Sequence, residues 1–339
     1  MRIFIVGDYV SGTGPANVTK ALIDALPTDT LYLKYMNKVL RLCELYMKIP
    51  KSDICVISGH SRQNLHTIRI AHKHNKKVVF LMHGCVEHEN DINGVPDEEM
   101  TSVERSVLKG SDLILAVSEQ FEMWLKEHYP EHKDKISHLI NGIDWDIYEL
   151  VQGDRSVGKG TKEEPYKLIS IGGGMPRKRI KRICEAIELL KMRDLYCKLT
   201  VAGDKGLDSE IIDGYDFVVN KGLLPREKVM EQLREAQLFI QNSNFETFGL
   251  APFEALLCGC DLLMSKAVGA ISVFDKSVIS SCDIISDCED AKEIADKIEY
   301  ILANSNHDRL FGGIYQQATG YEARARELID ICRKTCKKE

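Results

Sequence analysis

Short apolar runs, each closed by glycine or small polar residues and followed by a helix-patterned segment, recur along this chain in two rounds. That repetition narrows the fold more than any other feature. In the first round, strands are expected at Arg2–Val6, Ile54–Ser58, Val78–Met82, Leu113–Val117 and Ile136–Ile140. Helices are expected at Val18–Leu26, Leu31–Ile49, Thr67–Asn75, around Val103–Leu108 and at Gln120–Glu127, the last capped by Ser118. The pattern lapses over residues 151–165, where Gly153, Gly158, Gly160 and Pro165 lie among charges, and a linker is expected there. It restarts with strands at Lys167–Ile171, Lys198–Ala202, Phe217–Val219, Leu238–Ile240 and Leu262–Met264. Helices between and after them are expected at Ile180–Lys191, Glu227–Glu235, Leu250–Leu257, Ala291–Leu302 and Tyr321–Lys334. Buried strands alternating with helices imply parallel sheets covered on both faces. The expected organisation is therefore one α/β domain over residues 1–150, a linker over 151–165, a second α/β domain over 166–320 and a final helical segment, 321–339.

Bulk properties exclude several classes. The 339 residues suffice for two domains of ordinary size. A hydrophobic content of 44% with 28% charged residues fits a globular enzyme rather than a disordered chain. No apolar run approaches a membrane span. The start, Met1-Arg-Ile-Phe-Ile-Val-Gly, enters a glycine loop too soon for a signal peptide and reads as a first strand. Eleven cysteines without such a signal point to reduced thiols and a cytoplasmic location. Neither Cys258-x-Cys260 nor Cys332-x3-Cys336 has a second pair at zinc spacing, so no metal site is expected.

Charge is uneven. Net charge is −6, yet residues 30–77 hold ten Lys or Arg against Glu44 and Asp53, with four histidines besides. No nucleic-acid motif or aromatic interleaving accompanies them, so nucleic acid is not an expected partner. Two readings stay open: solvated helix faces, or a patch that lies against an anionic membrane surface or a pyrophosphate-bearing acceptor.

The stretch from Asn242 to Cys260 concentrates the chemistry. A buried strand is followed by small polar residues, Gly249, and a helix whose Pro252 fits only the first turn. Gly259 is placed to end that helix. Gly249, Leu250 and Ala251 thus lie where a helix N-terminus offers N–H groups to an anion. Glu246 precedes the helix and Glu254 lies one turn inside it. A single acid would complement the dipole, at about 0.3–1 kcal/mol. Two acids at an anion-binding turn suit a sugar nucleotide, one for sugar hydroxyls and one for ribose. The alternative is a loop acid plus a capping acid.

This Glu246-x7-Glu254 spacing, with Phe248-Gly249-Leu250 between, resembles the signature of family 4 retaining glycosyltransferases. The resemblance covers nearly the whole chain and is strongest over residues 168–265. It implies the GT-B fold, two Rossmann-like parallel-sheet domains facing a cleft, with residues 321–339 packing back on the first domain. The Ala116-Val-Ser and Asn141-Gly-Ile-Asp pieces, with Gly203-Asp204, are similar to further landmarks of the family.

Three other segments gain meaning beside it. Gly172-Gly-Gly-Met-Pro-Arg-Lys-Arg179, with Lys181, places glycines beside four cations, which suits a diphosphate; the alternative is a basic helix start, which the helix dipole opposes. The family's arginine after the first glycine is absent, since position 173 is glycine. The adjacent Arg177-Lys178 pair resembles a subset of the family and suggests uridine as the base. The Gly12-Thr13-Gly14 loop follows the first strand; by resemblance it contributes Gly12 and Gly14 to the donor diphosphate. It lacks the third glycine of a dinucleotide fingerprint, which disfavours a nicotinamide oxidoreductase. His83 stands at the carboxyl end of a strand, where ligands bind in open α/β sheets. A lone histidine there is also a common structural feature, but the His83-Gly84…Glu87 region is similar to the family's acceptor-side histidine region.

The resemblance implies a hexosyltransferase that moves a sugar from a nucleotide diphosphate sugar, UDP-linked by preference, to a glycan or lipid-linked acceptor. Polysaccharide or glycolipid synthesis at the inner face of a membrane would follow. Arg177, Lys178, Glu246 and His83 are assigned to catalysis. Gly12, Gly14, Gly173, Leu224, Phe248, Gly249, Leu250 and Glu254 are assigned to the donor, with no cofactor and no divalent metal. Two alternatives remain: a sugar-nucleotide epimerase on the same fold, and a non-enzymatic partner subunit that binds glycan or lipid.

Overall fold

The computed structural model describes residues 1–35, 37–145 and 158–337. The chain divides into two units, the first comprising Met1–Asn90, Pro96–Asp144 and Gln316–Glu339, the second Asp91–Val95 and Trp145–Tyr315.

The elements of the first round run β1 (Ile3–Gly7), α1 (Gly14–Ala25), β2 (Leu31–Tyr32), α2 (Lys38–Lys48), β3 (Ile54–Ser58), α3 (Asn64–Lys73), β4 (Lys77–Met82), α4 (Val86–Ile92), α5 (Glu98–Gly110), β5 (Leu113–Ala116), α6 (Glu119–His128) and β6 (Ile136–His138). The strands form one parallel sheet in the order β2-β1-β3-β4-β5-β6. Every residue of β3 is buried, as a strand covered on both faces requires. Ser118 caps α6 as expected, its hydroxyl accepting from the Phe121 N–H. The single long helix expected over Leu31–Ile49 is instead edge strand β2, a loop and α2. Asn37 breaks it, its side chain accepting from the N–H of Val39 and Leu40 as the cap of α2. Buried Glu44 then reaches back to accept from the N–H of Lys34 and Tyr35, fixing the loop. Met36, counted on that helix, lies outside the described residues.

In the second round the elements are β7 (Tyr166–Ile171), α7 (Ile180–Lys191), β8 (Cys197–Ala202), α8 (Ser209–Asp213), β9 (Val218–Asn220), α9 (Arg226–Glu235), β10 (Leu238–Gln241), α10 (Ala251–Leu257), β11 (Asp261–Ser265), β12 (Ile284–Ile285), α11 (Ala291–Ala303) and α12 (His307–Gly312). Their sheet is parallel, in the order β12-β11-β10-β7-β8-β9. Its core joins Leu168, Ile240 and Leu263 of the strands to Ile183, Ile187 and Ile298 of the helices. A short helix, α13 (Gln316–Thr319), and a long one, α14 (Tyr321–Lys337), follow. α14 packs on α1 and buries Ala325, Leu328 and Cys332. Of the expected linker, residues 151–157 lie outside the described residues. Residues 158–165 form a loop held to the second sheet, with the Gly158 N–H on the Gln237 side chain at 3.0 Å and the Tyr196 N–H on Gly160 O at 2.9 Å.

Each sheet reverses its winding once. In the first the reversal falls between β1 and β3, in the second between β7 and β10. Loops leaving adjacent strands at such a point diverge and leave a crevice at the carboxyl edge, where open α/β sheets bind ligands.

Candidate active site

The crevice of the second sheet lies between the loop after β7 and the loop after β10. Those are the two loops in which the sequence concentrates cations and acids. Lys178 donates from Nζ to Glu246 Oε2. Arg177 Nη1 approaches the same oxygen at 3.4 Å and the Phe245 carbonyl at 3.3 Å. Gln241 Nε2 adds a third donor at 2.9 Å. All three ionic side chains are largely buried, between 12% and 14% exposed. Burial opposes ionisation of Glu246, but the charges of Lys178 and Arg177 outweigh it and hold the carboxyl below its ordinary pKa.

Backbone bonds lock the loops together. The Asn244 N–H donates to Arg177 O at 3.0 Å, and the Arg177 N–H to the Asn93 side chain at 3.2 Å. Glu246 itself is pinned from behind: its N–H reaches Ala267 O, and its carbonyl accepts from Gly269 N–H at 3.0 Å. Gly249, at φ +87°, makes the turn that lets Leu250 start α10. Within that helix Glu254 is held by Arg226 Nε at 3.0 Å.

The three glycines after β7 are engaged by the fold itself. The N–H groups of Gly172 and Gly173 donate to Ala202 O, and that of Gly174 to Asp204 O. A Cβ on Gly173 would stand 1.9 Å from Asp204 O, so the position exists to let two loops touch. Of the four cations, only Arg177 and Lys178 turn to Glu246. Arg179, in the left-handed region at φ +49°, pairs with Glu289, which also holds Arg182 at 2.8 Å. That acid answers the unfavourable dipole at the start of α7. The Phe248 ring packs among other aromatic side chains. It is 2% exposed and stacks on Phe253 at 5.6 Å, Phe253 in turn on Phe274. Leu224 is half-buried in the loop between β9 and α9. Gln241, Asn93 and Glu289 carry no sequence signal that marks them as partners. Gln241, at the carboxyl end of the strand before the signature, was the most discoverable.

In the first unit, His83 follows β4 and its Nε2 lies 2.9 Å from Ser58 Oγ at the end of β3. Ser58 Oγ is 2.7 Å from Thr19 Oγ1, which donates to Pro15 O at 2.8 Å. Burial pulls the imidazole down to about 4, so His83 is neutral near pH 7. Glu87 is engaged by Arg105, whose hydrogen bond holds the carboxyl below its usual range. The loop after β1 is exposed. Thr13 caps α1, and a Cβ on Gly12 or Gly14 would meet nothing within 4 Å, so the loop leaves open space above both. Among the described residues, no three His, Cys, Asp or Glu side chains gather as a metal site, and no helix is long and apolar enough to cross a membrane.

Two parallel sheets, each with its crevice, and a buried Arg-Lys pair before an acid-bearing turn define a glycosyltransferase of the GT-B fold. The profile described as Glycosyl transferases group 1 matches residues 154–317, and that of Glycosyltransferase Family 4 matches residues 15–146. The chain is a GT-B glycosyltransferase of the group 1/family 4 type. Among solved structures it is similar to HepE from Anabaena in complex with UDP and glucose, at a TM-score of 0.69 and 12% identity, over 98% of this chain and 100% of that one. It is also similar to sucrose-phosphate synthase from Thermosynechococcus elongatus (TM-score 0.65, 15% identity, 98% of each chain). A glycosyltransferase from Rickettsia africae gives a TM-score of 0.64 at 16% identity, over 100% of this chain and 99% of that one. No curated protein sequence matches the chain.

Proposed function

We propose that this enzyme transfers a hexose-type sugar from a UDP-sugar to a glycan or lipid-linked acceptor with retention of anomeric configuration. The observation that carries the reading is the convergence of Lys178 and Arg177 on Glu246 at the winding reversal of the second sheet. The Glu246 carboxylate supplies Lys178 and Arg177 with a counter-charge, a role that a bound diphosphate can take over. When donor binds, the two cations turn to the diphosphate oxygens, and Glu246 accepts hydrogen bonds from the sugar hydroxyls. Gly249 and Leu250 flank the diphosphate, Glu254 takes the ribose, and the backbone near Leu224 meets the base. The basic charge of Arg177 and Lys178 stabilises the leaving group in place of a divalent metal.

His83 serves the reacting centre as a neutral hydrogen-bonding group, positioned by Ser58. The departing diphosphate takes the acceptor proton on the same face, so positioning and charge stabilisation supply most of the rate. HepE, the similar protein solved with UDP and glucose, supports uridine as the base. A lipid-linked acceptor would be met at a membrane surface, which agrees with the basic stretch 30–77 and with peripheral attachment at the inner face.

Thermal-shift screening against UDP-, GDP- and ADP-sugars tests the donor, since a ligand bound only by the native state raises the midpoint. A UDP-sugar is expected to give the largest shift, and product NMR to show retention. A product formed from donor alone, without acceptor, would favour the epimerase reading. No shift with any nucleotide sugar would favour a binding subunit. Turnover is expected to survive chelation by EDTA.

A further inference from the structure

In the first unit a groove of about 740 Å³ lies among α2, the loop after β3, α3 and α5. One wall is α2, which turns Val39, Leu42 and Leu45 into the space, with Met100 of α5 opposite. The floor is the loop after β3, His60 to Gln63, beginning one residue beyond Gly59, whose position lies 3.8 Å from the His83 ring. The groove therefore starts on the same loop that passes beside the His83 ring at Gly59.

Two of its polar groups are unspent among the described residues: Arg41 lines it with its Nε buried and without a hydrogen-bond partner, and the same holds for Gln63 Oε1. A buried polar atom that nothing answers is costly, so a ligand that answers it is favoured. Lys38 at the rim makes no ion pair among the described residues. The nearby acids are committed elsewhere. Asp8 accepts from the N–H of Val10 and Ser11, and its charge reaches Arg41 only through space. Asp97 caps α5 through Met100 N–H, Glu99 pairs with Arg62, and Glu44 is taken by Lys48. The groove thus offers a net positive, donor-rich end and a hydrocarbon wall. Elsewhere on α2, Leu40, Tyr46 and Met47 are also exposed.

The geometry points to a single amphiphile in this groove: a phosphate- or pyrophosphate-bearing acceptor with a long hydrocarbon chain. The phosphate lies on Arg41 and Lys38, and the chain runs along Val39, Leu42 and Leu45. This inference rests on the transfer reading above and narrows its acceptor to the lipid-phosphate class.

Calorimetry of the full chain with dodecyl phosphate, kept below its micelle concentration, tests it. Saturable 1:1 binding is expected, weakened by about tenfold or more in Arg41→Gln, since a charge-assisted bond contributes about 1.5–3 kcal/mol. Leu42→Asp, at a position already exposed, should weaken it likewise. Inorganic phosphate and dodecyl maltoside, each carrying half of the recognition, are expected not to saturate. UDP binding measured on the same samples separates the two proposals. Intact UDP binding with no saturable dodecyl phosphate binding overturns the acceptor groove alone. Equal binding of dodecyl maltoside overturns it as well. So does sedimentation with phosphatidylglycerol vesicles without monomer binding, which would make the face a membrane surface only. Loss of UDP binding in the wild-type chain instead overturns the donor reading.

Discussion

Lys178 and Glu246, 68 positions apart in sequence, share a hydrogen-bonded ion pair at the edge of the second sheet. Removing the cation should leave Arg177 as the carboxylate's charged partner, so the fold should survive. Turnover should fall at least ~10²-fold in Lys178→Ala, as loss of a charge-stabilising donor does elsewhere. Steady-state kinetics with a UDP-sugar, beside a thermal melt, checks both halves. Near wild-type turnover in a folded variant would remove Lys178 from catalysis.

Gly172 sets where Lys178 points. It lies at φ +147°, and a Cβ there would stand 2.4 Å from Lys178 Cγ. Gly172→Ala is expected to push the lysine off Glu246 and to reduce turnover in the same direction as Lys178→Ala. Backbone strain adds a stability cost of about 1–3 kcal/mol. Combining the two substitutions should cost less turnover than the product of the single effects, because both act through one ammonium group.

Glu246 makes acid stability a readout of the site. Its folded-state pKa lies below the unfolded value of about 4.3. Its stabilising contribution is therefore present above that value and is lost as pH falls through the folded pKa. Denaturant unfolding followed from pH 7 downward should show a steeper loss below about pH 4 in wild type than in Glu246→Gln. At pH 7 the Gln variant should be the less stable, since two largely buried cations lose their counter-charge.

His83 acts in the same direction over a higher pH range. Its folded pKa is about 4, against about 6.5 unfolded. The folded state binds fewer protons between those values, so stability is full above pH 6.5 and declines as pH falls toward 4. His83→Gln should flatten that part of the stability curve. The pH–rate profile should show no inflection near 6.5 from this group, and a clear one there would mean that His83 titrates as an ordinary imidazole.

Much of this was legible in the sequence because it is local. The helix Ile180–Lys191 has the bounds its periodicity predicts, and the strands expected at 54–58 and 238–240 were plain as apolar runs, the second extending one residue further to Gln241. What the chain hid depends on distant groups. Asn37, a short polar residue among apolar ones, looked tolerable inside a helix until Glu44 folded back on Lys34 and Tyr35. The glycines after β7 read as room for a ligand because their true neighbours, Ala202 and Asp204, are some thirty residues away. Phe248 sits within the signature and looked functional. Its stacking on Phe253, five positions on, is what a buried aromatic does. The short helix α4 was missed because it has no apolar stripe: its N-terminus is held by the buried Glu104 carboxylate, which accepts from Val86 and Glu87.

The most direct test is calorimetric titration of UDP into wild-type protein and into the Arg177→Ala/Lys178→Ala double variant, with folding verified by melting. A pair that exists to grip a diphosphate should give binding in wild type and a loss of about 100-fold or more in the variant, at roughly 1.5–3 kcal/mol for each charge-assisted contact. Equal UDP affinity in the two proteins would contradict the account, leaving Arg177, Lys178 and Glu246 as a structural ion cluster.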